Sequence, residues 1–242
     1  MSQLLDRVLV RCLVWWGSLK WFARLIGWVS TILVVRLLSP EDYGLVAMAG
    51  VYFVFAKLVF EFGLGASVVT KNLDSTQLAQ VNTLSVFLGI FGFILSAVIA
   101  EPLADFYGAP DLFRVVLVMA VSFVLSGLRT VPTAILEREL RFEFLAVIET
   151  VQVLLQACCS LWLAFKGFHY WTLIIGGLAG ECILTAAVLT KRWHTFVFPS
   201  AESINAFVFG SHVVLSRLFW SAQMQSQFLV AGRFLGSASL GV

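Results

Sequence analysis

Arg36-Leu37-Leu38-Ser39-Pro40-Glu41-Asp42-Tyr43-Gly44-Leu45 has an echo in Arg233-Phe234-Leu235-Gly236-Ser237-Ala238-Ser239-Leu240-Gly241-Val242. Both stretches read Arg-x-Leu-x4-(Tyr/Leu)-Gly, and both follow a long apolar run. The residues ahead of them match too: Gly17-Ser18-x5-Arg24-Leu25 returns as Gly210-Ser211-x5-Arg217-Leu218. Twelve residues separate Arg24 from Arg36 and sixteen separate Arg217 from Arg233, so the second copy carries about one extra helical turn. A long internal repeat sets the architecture before any single residue does. The spacing predicts a helical hairpin that turns at Ser39-Pro40 and begins again late in the chain. Residues 1–200 are expected to form a six-helix lobe. Residues 201–242 are expected to open a second lobe with its first helix and outer turn, so that the chain holds one half, plus one helix, of a two-half protein.

Composition fixes the medium. Hydrophobic residues make up 60% of the chain and charged ones 12%, with a mean hydropathy of +0.94. Soluble domains carry about twice that charge, so the chain reads as an all-α polytopic membrane protein. In hydrocarbon each backbone polar group must be satisfied within the protein, which turns apolar runs into helices. The absence of dyad alternation argues against an outer-membrane barrel. The net charge of +2 is small and dispersed, which excludes a nucleic-acid partner. The four cysteines lie in apolar segments without metal-ligand spacing and read as packing residues. His169, His194 and His212 have no mutual spacing that suggests a metal.

Seven spans are expected, near 15–38, 41–64, 77–100, 112–135, 143–165, 169–190 and 203–232, each close to the ~20 residues a bilayer requires. Ser39 suits the cap of the second helix and Pro40 its first turn, followed by Glu41 and Asp42 on the dipole. Asp74-Ser75-Thr76-Gln77 offers caps to the third helix, which is expected to stop at Glu101-Pro102. Lys166-Gly167 is expected to make a tight turn into the sixth. Alternate loops hold Arg7, Arg11, Lys71, Arg138, Arg141, Lys191 and Arg192. The opposite loops mix Arg36, Arg114, Lys166 and Arg233 with Glu41, Asp42, Glu101, Asp105 and Asp111. The asymmetry predicts a cytoplasmic N-terminus, and six spans make the repeat parallel.

Three blocks, in this order, carry a resemblance: Arg36 to Gly44 with Phe62-Gly63-Leu64-Gly65 after it, Pro132-Thr133-Ala134-Ile135-Leu136-Glu137-Arg138-Glu139-Leu140-Arg141-Phe142, and Gly232-Arg233-Phe234-Leu235-Gly236. Over essentially its whole length the chain resembles the polysaccharide transporter (Wzx-type flippase) branch of the multidrug/oligosaccharidyl-lipid/polysaccharide exporter superfamily. The resemblance implies two six-helix lobes around a central cavity in a bacterial inner membrane. It implies no enzymatic chemistry, but the flipping of a polyprenyl-diphosphate-linked oligosaccharide from the cytoplasmic to the periplasmic leaflet for polysaccharide or lipopolysaccharide synthesis. The implied partners are the lipid-linked oligosaccharide, the lipid bilayer, a C-terminal lobe or a second copy, and the polysaccharide assembly machinery. No cofactor is implied beyond H+ or Na+ as a coupling ion.

Helix rise places the buried charges. Arg24, Lys57, Arg129 and Arg217 fall roughly 22 to 28 Å from the outer turns of their helices, in the inner third of a ~30 Å core. Facing lipid they would be costly, and a shared aqueous vestibule would suit a diphosphate, with the arginines as forked donors. Snorkelling to headgroups is the competing account. Glu61 stands four residues after Lys57 and can neutralise it. Glu181, roughly 18 Å deep, is the first candidate for ion coupling, with Glu149 and Glu61 beside it. Gln223 and Gln227 share a helix face and are candidates for a sugar path, helix–helix hydrogen bonding being the alternative. Gly176-x-x-x-Gly180 is expected to pack within the lobe.

Other functions compete. A multidrug or small-molecule exporter of the same superfamily would need an acidic cavity. A membrane enzyme acting on lipid-linked sugars would need an acidic or histidine-bearing loop such as Asp-x-Asp or His-x4-Asp, and neither occurs. A truncated, non-transporting structural subunit would keep the helices alone.

Overall fold

A computed structural model describes residues 2–60, 64–70, 73–192 and 196–198. Among them every regular element is an α-helix: α1 (Ser2–Val35), α2 (Pro40–Phe60), α3 (Leu64–Thr70), α4 (Ser75–Tyr107), α5 (Asp111–Met119), α6 (Val121–Arg138), α7 (Phe142–Phe165) and α8 (Trp171–Lys191). Four described helical stretches are long and apolar enough to cross a bilayer: α4, α5 with α6 in succession, α7 and α8. The chain is an all-α, multi-pass membrane protein. α1 and α2 are helices over the first two expected stretches, and the seventh lies outside the described residues.

The Ser39-Pro40-Glu41-Asp42 turn forms as its residues demand. Ser39 Oγ accepts from the Asp42 N–H at 3.2 Å, and the Ser39 N–H donates to Asp42 Oδ2 at 3.2 Å. That reciprocal capping leaves Pro40 in the first turn, where a missing N–H costs nothing. Asp42 does more than cap. Its Oδ1 accepts from the Tyr170 N–H at 3.0 Å, and His169 Nδ1 lies 3.5 Å from Oδ2. One nearly buried carboxylate thus fastens the α1–α2 turn to the start of α8.

Proline did not end α4. The expected stop at Glu101-Pro102 is corrected: the helix runs through Pro102 to Tyr107. The physical reason is packing, since Ala100 and Ala104, on either side of the proline, are buried in the largest apolar cluster. The helix ends instead at Gly108, φ 66°, where Ala109 N–H reaches back to Ala104 O at 3.0 Å. The Lys166-Gly167 turn closes the same way, with Gly167 at φ 76° and Phe168 N–H on Leu163 O at 3.2 Å. These are left-handed C-caps that satisfy orphan carbonyls.

Small residues set the closest crossings. α4 meets α6 where Gly89 and Gly127 face each other: a Cβ on Gly89 would stand 2.5 Å from Phe123 O, and one on Gly127 2.7 Å from Ser85 O. Ser85 Oγ adds a hydrogen bond to Gly127 O at 2.9 Å. The Gly176-x-x-x-Gly180 face of α8 packs on α7, against Ser160 at one end and Gln152 at the other, so that motif serves packing inside the lobe. α1 leans chiefly on α7, and α8 is wedged between α6 and α7.

The turns sort onto two faces. Ser39 to Asp42, Asp111 and His169-Tyr170 gather on one. Burial, and then the Asp111 carboxylate beside it, hold the Tyr170 phenol above its ordinary value. On the other face Glu139 joins Arg192 and lies 3.3 Å from Arg141 Nε. The hydrogen bond from Arg192 holds the Glu139 carboxyl below its ordinary value.

Candidate functional site

α1 divides into three strips at helical spacing. Ala23, Ser30 and Val34 are buried against the lobe. Phe22, Leu25, Val29 and Ile32 are more than half exposed and form the face suited to acyl chains. Between these two strips run Trp21, Arg24, Trp28 and Thr31, which line a cavity of about 510 Å³. That volume is in the range of small-molecule sites.

The opposite wall is α7, which contributes Glu149, Thr150, Val153, Gln156, Ala157 and Ser160, while Leu173 closes the cavity from α8. The two walls run parallel. Lys20 Nζ pairs with Glu149 Oε2 at 3.0 Å, and one turn or two further on Val153 Cγ1 lies 3.7 Å from where a Gly27 Cβ would stand. The cavity is therefore a groove between two co-directional helices, graded along its length. Charge sits at the end nearer the Glu139 face, with Lys20, Arg24 and Glu149. Neutral hydrogen-bonding groups sit at the end nearer the Asp42 face, with Thr31, Gln156 and Ser160.

Electrostatics single out one residue. Lys20 and Glu149 are each about half exposed, at 43%, and neutralise each other. Arg24 makes no ion pair among the described residues, so the lining carries one uncompensated positive charge. A guanidinium is always charged and offers a planar fork of donors. Facing hydrocarbon it would be costly, whereas a groove of this size and polarity admits water. An anion with several oxygens is the ligand such a position can hold.

The other expected site residues are distributed. Arg129, on α6, forms an ion pair with Glu181 of α8, with side chains 14% and 22% exposed. This removes both from the groove and gives the mid-membrane carboxylate a cationic partner. Lys57 stands exposed in the last turn of α2 and does not line the groove. Of the four cations expected around one hollow, the groove brings in Arg24. Arg217, Glu61, Gln223 and Gln227 lie outside the described residues. Glu149 is joined to Lys20, a pairing across two helices that sequence spacing did not disclose.

Trp21, Trp28, Thr31, Gln156 and Ser160 were not singled out from sequence. A signal was present: positions 21, 24, 28 and 31 of α1 and 149, 153, 156 and 160 of α7 each make one stripe. Neither stripe means anything until the two helices are known to be neighbours.

A family model described as "Polysaccharide biosynthesis protein" matches residues 33–242. Among curated proteins, the chain is 28% identical over 195 residues to the teichuronic acid biosynthesis protein TuaB of Bacillus subtilis (strain 168), covering 78% of this chain and 40% of the relative. It is 26% identical over 222 residues to the succinoglycan biosynthesis transport protein ExoT of Rhizobium meliloti (strain 1021), covering 88% and 44%. It is 24% identical over 226 residues to the lipopolysaccharide biosynthesis protein WzxC of Escherichia coli (strain K12), covering 89% and 45%. The chain spans less than half the length of each of these relatives. No solved structure matches.

Proposed function

The chain belongs to the polysaccharide biosynthesis protein family, and from that premise we propose that it forms one lobe of a flippase. Its cargo is a polyprenyl-diphosphate-linked oligosaccharide, moved from the cytoplasmic to the periplasmic leaflet of a bacterial inner membrane. The observation that carries this proposal is Arg24: an arginine within an apolar stretch of α1, on the wall of a groove of about 510 Å³, with the neighbouring Lys20 and Glu149 paired to each other. Arg24 takes the diphosphate, whose oxygens match a guanidinium fork. The apolar strip of α1 beside the groove lets the polyprenyl chain stay in lipid while the head group enters.

Transport needs no covalent step. Residues 1–200 act as the first lobe and 201–242 begin the second. A C-terminal lobe or a second copy completes the cavity, and rocking of one against the other exposes the groove to each leaflet in turn. The N-terminus is cytoplasmic, in keeping with the Lys and Arg of the Glu139 face. Glu149 and Glu181 each hold a cation, Lys20 and Arg129. H+ or Na+ arriving at either carboxylate would release its partner, which is how an ion gradient could drive the cycle. Lys57, Arg217 and Glu61 belong to the same proposal as further charges of the vestibule, and Gln223 and Gln227 as a sugar path on the second lobe. Export of a small cation is disfavoured by the positive surplus in the groove.

Cells lacking the gene are expected to accumulate lipid-linked oligosaccharide in the inner leaflet, and the full-length protein to clear it. Arg24→Ala is expected to restore less than a tenth of wild-type export, and Arg24→Lys an intermediate amount, because a point charge replaces a fork. Full rescue by Arg24→Ala would remove the site from the mechanism.

A further inference from the structure

We propose that the neutral end of the α1–α7 groove is a saccharide subsite, with Trp28 as the platform on which the first sugar of the cargo stacks and Gln156 as the reader of its hydroxyls. The inference rests on the flippase reading and deepens it. Three observations lead there.

The first is the grading of the groove. Moving from Arg24 toward the Asp42 face, the lining loses its charges and becomes amide and hydroxyl: Thr31, Gln156 and Ser160. Such groups exchange hydrogen bonds with uncharged hydroxyls and offer nothing to a second anion. Thr31 donates its own hydrogen to Gly27 O at 2.9 Å, leaving its oxygen as an acceptor for a sugar O–H. The Gln156 amide supplies both a donor and an acceptor, the pair that distinguishes hydroxyl positions on a ring.

The second is the position of Trp28. It is 58% exposed, yet it lies outside the Phe22, Leu25, Val29, Ile32 strip and borders the groove. An indole presents a flat, electron-rich face, and the C–H face of a pyranose is its natural complement.

The third is distance. Trp28 follows Arg24 by four residues, about 6 Å along the helix. The first sugar of a diphosphate-linked glycan is bonded directly to phosphate, so a phosphate held by Arg24 puts that ring within reach of the indole and no further. Trp21, a turn on the other side of Arg24, stands on the charged side and is left for the lipid end of the head group.

The test is binding by the purified full-length protein in nanodiscs, using two probes: the lipid-linked glycan extracted from cells lacking the gene, and sugar-free polyprenyl diphosphate. Trp28→Leu is expected to weaken binding of the glycan-bearing probe about tenfold and to leave the sugar-free probe unchanged. Gln156→Ala acts in the same sense with a smaller loss, and Trp28→Phe, which keeps a ring, loses less than Trp28→Leu. Arg24→Ala weakens both probes. Equal effects of Trp28→Leu on the two probes, or equal losses with Leu and Phe, would overturn the subsite while leaving the flippase reading in place. Loss at Trp28 with Arg24→Ala silent on both probes would do the reverse, supporting the sugar subsite and removing the diphosphate site. If no lipid-linked glycan accumulates in the deletion strain, both fall together.

Discussion

Asp42 shows how much one side chain can organise. In the sequence it is an acidic residue in a first turn, useful to a helix dipole. In the fold its carboxylate accepts from Ser39 N–H, Ser39 Oγ–H and Tyr170 N–H, so two helix starts depend on one anion. Charge-assisted bonds of this kind are stronger than neutral ones, and removing the acceptor leaves three donors, in part-buried bonds, without their partner. Asp42→Ala is expected to cost about 1–3 kcal/mol, read as a lowered melting temperature of the detergent-solubilised protein. Asp42→Asn, which keeps one acceptor and turns a donor toward another donor, should fall between. A melting temperature unchanged by either substitution would mean that the tie is incidental. The sequence suggested the cap through Ser39-Pro40 but not the bond to Tyr170, which lies 128 residues away.

At the scale of elements, the helices stand where hydrophobic length put them, and two of their details did not follow from local rules. Pro102 should have stopped α4, but burial of Ala100 and Ala104 outweighs one lost backbone bond. The α4–α6 crossing rests on Gly89, which forms a Ser85-x-x-x-Gly89 pair within α4, and on Gly127, which has no small residue four positions away in α6. Their importance comes from facing each other. Gly127→Ala would force its Cβ to within 2.7 Å of Ser85 O, so the helices must part and Ser85 Oγ must release Gly127 O. The expected cost is about 1–3 kcal/mol, as for other overpacked sites, measured by the same thermal unfolding. Gly177, whose Cβ would meet nothing within 4 Å, is the control: Gly177→Ala should be neutral or slightly stabilising through helix propensity.

For the molecule as a whole, the turns gather on two faces, as alternate loops of an up-and-down helical bundle must, and the proposal of which face is cytoplasmic rests on the count of Lys and Arg. Packing put Ser39 to Asp42, Asp111 and Tyr170 together. The orientation has a direct check. With the native cysteines replaced by serine, an impermeant maleimide added to intact spheroplasts is expected to label Pro110→Cys and to spare Leu140→Cys until the membrane is opened. Labelling of both from outside would invert or abolish the proposed orientation. What the sequence determined by itself was the medium and the helices of the described residues, because each follows from a property summed over some twenty consecutive residues. It also marked Arg24, since a charge in an apolar run is visible one residue at a time. Tertiary structure alone decided which charges meet: Lys20 with Glu149, Arg129 with Glu181, and Arg24 with neither. Pairing depends on which helices are neighbours and how they are rotated, and a single chain's periodicity gives each helix a face without saying what the face is turned toward.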